Sequence, residues 1–206
     1  MYTSKNFEHL LGTPGFSDAL LKNHFTLYEG YVKNFNALND LLVTMEEEGK
    51  VGTPIDAELN RRFGWEFNGM RLHELYFDNM SVKGGSVSSE KNDARMDESA
   101  LTQKITEEWK SVEMWEKDFK TMGAMRGIGW IVLYFDNMAN RLFNVWVNEH
   151  DVGHLAGCVP LLVMDVFEHT YISDYGIKRT DYIEAFFHAI DWDIVKQRYK
   201  SPTLSS

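Results

Sequence analysis

Val159-Pro160-Leu161-Leu162-Val163-Met164-Asp165-Val166-Phe167-Glu168-His169-Thr170-Tyr171 decides how this chain is read. Its apolar beginning has the length and composition of a buried strand, and the run ends on a carboxylate. Asp165 follows four consecutive apolar residues, so its side chain is expected to be buried, and a buried carboxylate needs a partner. His169 lies four residues further on and shares a face with Asp165 if the chain turns helical after the strand.

Upstream, Gly129 to Phe135 and Arg141 to Val147 are two more β-rich runs, separated by Asp136-Asn137-Met138-Ala139-Asn140, which suits a hairpin turn. Downstream, two short helical stretches are expected, Thr180 to Ala189 and Asp191 to Tyr199. Nearer the start, Leu20, His24, Leu27, Tyr31, Phe35, Leu38 and Leu42 follow the three-and-four spacing of one helix face. Thr53-Pro54 opens a second stripe of Ile55, Leu59, Phe63, Phe67, Met70, His73 and Phe77. A third stripe, Leu101 to Met122, reads as one helix ending at Gly123. Residues 81–99 are rich in glycine and serine and read as a connector. The expected fold is α+β: an N-terminal α-helical hairpin (1–83), a connector (84–98) and a C-terminal α/β half (99–206) with a three-stranded antiparallel sheet.

Composition narrows the function. Apolar types at 44% and charged types at 25% suit one globular chain of 206 residues, and aromatics at 14% supply large core side chains. The net charge of −10 disfavours a phosphate-binding surface, so no nucleic-acid partner is expected. The most apolar stretch, Leu155 to Met164, is ten residues, about half the ~20 a membrane span needs. Cys158 is the single cysteine and is expected to be inert packing. The N-terminal residues carry no signal-peptide pattern, so a cytoplasmic location is expected. Neither GxGxxG nor GxxxxGK[ST] occurs, which leaves nucleotide binding without support.

His24 and His73 sit on the apolar stripes of two helices that would pair antiparallel, bringing both imidazoles to one interior. With Asp165 and His169 they make three histidines and a carboxylate, a donor set for a divalent or trivalent metal with a position left open. Scattered, hydrogen-bonded core histidines are the competing reading.

At these residues the sequence resembles the iron/manganese superoxide dismutases. Asp165-Val166-Phe167-Glu168-His169-Thr170-Tyr171 resembles that family's D-x-W-E-H-x-Y signature, with Phe167 in place of tryptophan. Phe67-Asn68-Gly69 with His73 resembles the segment of the second ligand, shortened by two residues. Tyr31 to Asn36 resembles the Y-V-x-x-L-N stretch after the first ligand, and Gly127 to Trp130 the strand that brings a tryptophan to the site.

The resemblance implies one Fe or Mn ion per chain on His24, His73, Asp165 and His169, disproportionation of superoxide, and a homodimer. It further implies Tyr31 at the substrate funnel, Trp130 and Phe167 as the aromatic wall, and Arg179 as the residue that steers the anion. His150, in the loop after the second strand, matches the position of a donor beside the metal, with His154 as its neighbouring rival. Glu168 matches a glutamate that reaches the partner's ligand histidine. A second bridge of the family is absent, because its tyrosine is Ile172 and its histidine falls at Leu27 or Tyr28, so an apolar contact is expected there. A non-catalytic metal-binding relative is the alternative implied by these departures, and a metal-dependent hydrolase is disfavoured for want of a further general base.

Overall fold

The computed structural model describes residues 1–84 and 99–201. Two long helices open the chain, α1 (Asp18–Glu47) and α2 (Pro54–Asp78), and they pack along each other as an antiparallel hairpin. Ser17 caps α1 by accepting from the Leu20 amide, and Thr53 caps α2 by accepting from the Asp56 amide, with Pro54 at the first helical position. The connector expected at 84–98 lies, apart from Gly84, outside the described residues.

The third stripe is two helices, not one. α3 (Ala100–Trp109) stops at Lys110, whose φ of 71° is left-handed, and Ser111 then caps α4 (Val112–Gly123) through the Met114 amide. The apolar spacing runs across this break because both pieces lay the same kind of face on the sheet. Stripe periodicity alone therefore could not show the break, although Lys110-Ser111 supplies the cap type that marks it.

β1 (Gly129–Asp136), β2 (Arg141–Asn148) and β3 (Val159–Asp165) form an antiparallel sheet in the order β2-β1-β3. Trp130 stands opposite Val147 on one side and Asp165 on the other, so the central strand places an indole beside the site carboxylate. Short helices α5 (Ile172–Tyr175), α6 (Arg179–Ala189) and α7 (Trp192–Lys200) close the chain.

The two halves are locked by polar contacts that copy a sheet edge. The Asn79 amide at the end of α2 donates to the Val163 carbonyl and accepts from its N–H, both at 3.1 Å. Arg198 on α7 donates to the Asn79 side-chain oxygen and to the Leu161 and Leu75 backbone carbonyls. These bonds satisfy buried backbone groups and fix α2 in register with β3. That register decides how His73 stands relative to Asp165.

Candidate metal centre

His24 and His73 come from facing turns of α1 and α2, Asp165 is the last residue of β3, and His169 lies in a 3-10 turn, Glu168–Thr170. The expected helix after the strand is thus a tighter turn, and it still brings the imidazole back to the carboxylate. Asp165 Oδ2 lies 3.2 Å from His24 Nε2, 3.4 Å from His169 Nε2 and 3.8 Å from His73 Nε2. All four donor atoms fall within 4.8 Å of one another, and none has a hydrogen-bond partner.

Orphaned buried polar atoms are costly, and four of them this close together can all be satisfied by one shared ligand. Donors each about 2.1 Å from one ion lie roughly 3–4 Å apart, the range of the three separations between Asp165 Oδ2 and the imidazoles. The residues present therefore fit a single metal ion.

Neighbouring groups aim the ligands. His73 Nδ1 lies 2.5 Å from the Gly69 carbonyl, which can only accept, so Nδ1 carries the proton and Nε2 presents its lone pair. Asp165 Oδ1 accepts from the Phe167 amide at 2.8 Å, which leaves Oδ2 for the cluster. Burial lowers the pKa of His24 and His73, so both are neutral donors. Burial alone would raise the Asp165 carboxyl, but the His169 and His24 imidazoles outweigh it and hold the group well below its usual range.

Beside the cluster stands a hydrogen-bonded wall. Trp130 Nε1 donates to His150 Nδ1 at 3.0 Å, and His150 Nε2 lies 2.7 Å from the Tyr31 hydroxyl. An indole N–H can only donate, so His150 Nδ1 is the acceptor and the neutral ring carries its proton on Nε2. Burial lowers the His150 imidazole to about 4 and pushes the Tyr31 phenol up to about 12. Gly69 makes room for this arrangement, because a Cβ there would fall 2.5 Å from the Tyr31 ring. Phe167 stacks on His150 with ring centroids 5.0 Å apart and also meets His169 and Trp130.

His154 stands behind the wall. Its Nε2 donates to the His150 carbonyl at 2.9 Å, and its Nδ1 lies 2.7 Å from the Tyr134 hydroxyl. Arg179 is half-buried, not a solvated surface group: it donates to the carbonyls of Met125 and Gly127 and to the Tyr171 hydroxyl. Glu168 is exposed on this chain, and Ile172 is 50% exposed. Tyr28 is buried, with its hydroxyl 3.0 Å from Glu74 Oε1, so Leu27, 42% exposed, is the member of that pair at the surface. Burial raises the Cys158 thiol, and the group takes no part in the site.

Sequence reasoning missed Trp65. Its ring lies 4.6 Å from that of His150 and 5.7 Å from that of Tyr31, and its indole reaches Glu149. Trp65, Gly69 and His73 recur at intervals of four on α2, a spacing that could have disclosed the shared face.

Residues 97–198 match the family described as iron/manganese superoxide dismutases, C-terminal domain. The chain is 37% identical over 188 residues to "Superoxide dismutase [Mn] 2" of Haloferax volcanii, covering 91% of this chain and 88% of that protein. It is 34% identical to "Superoxide dismutase [Fe]" of Cupriavidus metallidurans, covering 90% of this chain and 89% of the relative. Against "Superoxide dismutase [Fe]" of Aquifex pyrophilus the identity is 32%, covering 90% and 85%.

Proposed function

From the fact that this chain belongs to the iron/manganese superoxide dismutase family, we propose a division of labour among its residues for converting superoxide to dioxygen and hydrogen peroxide. The chain is an oxidoreductase using one Fe or Mn ion. That ion, on His24, His73, Asp165 and His169, supplies the one-electron chemistry, with two superoxides and two protons giving one dioxygen and one hydrogen peroxide. The observation that carries the assignment is the set of four buried donor atoms without partners.

Proton delivery falls to Tyr31 and His150. Because Trp130 fixes the proton of His150 on Nε2, that N–H donates to the Tyr31 oxygen. The hydroxyl hydrogen of Tyr31 is then uncommitted to the chain of bonds and is free to point at a small anion in the funnel. A phenol pushed up to about 12 and an imidazole lowered to about 4 keep both groups neutral across the physiological range. Phe167 and Trp130 wall off bulk water, which strengthens each of these bonds. Behind them, His154 with Tyr134 holds the His150 backbone in place.

Arg179 is the steering residue in this reading, supported by the need to draw an anion to a chain of net charge −10. Its clamp on the Met125 and Gly127 carbonyls holds the loop that leads to Trp130.

A homodimer completes the reading. Glu168 is exposed next to the ligand His169 and is free to meet a partner, and Leu27 and Ile172 offer exposed apolar surface. The division into 1–83, 84–98 and 99–206 and a cytoplasmic location belong to the same reading; the lone cysteine suits a reducing compartment. Among the described residues no helix is long and apolar enough to cross a membrane.

Stopped-flow mixing of superoxide with metal-loaded protein tests the function. Wild type should consume superoxide catalytically, and Tyr31→Phe should retain its metal while turning over about tenfold more slowly. Metal-loaded wild type without activity would overturn the assignment.

A further inference from the structure

Arg62 lies one helical turn before Trp65 on α2, and its guanidinium carbon sits 3.7 Å above the centre of the Trp65 ring. The underside of that assembly is the proton wall, since Trp65 packs on both Tyr31 and His150. A cation held over an indole is fixed in direction at little entropic cost, and this one keeps 44% of its side chain exposed. Its other anchor is the buried Glu66 carboxylate, an ion pair at 2.8 Å.

Arg179 differs in this respect. Its N–H groups are taken up by the carbonyls of Met125 and Gly127 and by the Tyr171 hydroxyl. Those partners are neutral, so Arg179 keeps its charge while fixed to that loop, and Arg62, paired with Glu66, sets a second cation beside Tyr31 and His150. The exposed carboxylates nearby, Glu149 bonded to the Trp65 indole and Asp151 next to His150, would repel an approaching anion if no cation stood beside them.

We propose that Arg62, held on Trp65, steers superoxide and other small monovalent anions toward Tyr31, a guiding role for a residue outside the metal centre. It acts on approach and touches neither the metal nor the reacting atoms. The proposal rests on the superoxide reading of the centre, and the test separates the two.

Arg62→Gln and Arg62→Lys would be compared with wild type by stopped flow, from about 10 mM to about 0.5 M ionic strength, where the screening length falls from about 30 Å to a few ångströms. Arg62→Gln should lower kcat/KM about twofold to fivefold at low salt and converge with wild type at high salt, while Arg62→Lys stays near wild type throughout. Azide binding, followed by the visible absorption of the loaded centre without turnover, should weaken by a similar factor in Arg62→Gln at low salt only. A wild type that consumes no superoxide would refute the reading of the centre, whatever azide does. An active wild type whose salt profile and azide affinity Arg62→Gln leaves unchanged, or lowers equally at every ionic strength, would overturn the steering role.

Discussion

At the ligand cluster four buried donor atoms face one another with no hydrogen bond between them, whereas one ring away both ring nitrogens of His150 and the indole nitrogen of Trp130 are paired. The two regions are built from the same kinds of side chain. Burial makes neutral imidazoles of His24, His73 and His150 alike. The difference is satisfaction: a histidine whose second nitrogen is left bare awaits a ligand, and one bonded at both nitrogens is a fixed donor. Identity of residue type says little about role here, and the accounting of lone pairs says a great deal.

The comparison breaks hardest at Asp165. Asp165→Asn keeps an oxygen to accept from the Phe167 amide but removes the charge that neighbours three imidazoles. Bound metal and activity should both be lost, and the melting temperature should fall because the metal's binding free energy no longer favours the folded state. Elemental analysis and a thermal scan check this.

His150→Ala should do the reverse, retaining a full complement of metal while turnover drops about tenfold to a hundredfold, because the donor that orients Tyr31 is gone. A metal-free His150→Ala would erase the distinction between cluster and wall.

A smaller effect is expected at Trp130. Trp130→Phe removes one neutral hydrogen bond, worth about 1 kcal/mol, and frees His150 to hold its proton on either nitrogen. Turnover should fall severalfold with metal unchanged, and nitrogen-resolved NMR of His150 should show a mixed tautomer where wild type shows Nε2–H alone.

Much of this was legible in the sequence. The four ligand residues stand out because polar groups on apolar stripes, and a carboxylate ending a buried strand, violate the pattern around them. Glu168 and Trp65 were harder, for different reasons. The exposure of Glu168 depends on how a 3-10 turn leaves the sheet, which spacing by helical fours cannot show. Trp65 fits its stripe as ordinary packing, and only its contacts with Tyr31 and His150 give it another meaning. The tautomer of His150 was out of reach, because it rests on an indole 20 residues away in sequence. The break at Lys110 escaped because both helices continue one apolar rhythm.

A separate effect is expected on acid stability. The His150 imidazole is lowered from 6.5 to about 4 in the folded chain, so between those values the unfolded state binds the extra proton. His150 therefore costs stability as pH falls from 6.5 towards 4 and contributes no such cost above 6.5. The difference in unfolding free energy between wild type and His150→Gln should shift in favour of the variant across that window. Denaturant titrations of the two proteins at pH 7 and pH 5 measure it.

Metal content per chain, measured by inductively coupled plasma mass spectrometry on wild type, Asp165→Asn and His150→Ala purified side by side, tests the division between cluster and wall most directly. The account predicts about one iron or manganese in wild type and in His150→Ala, and none in Asp165→Asn. Full metal in Asp165→Asn, or equal loss in His150→Ala, would contradict it.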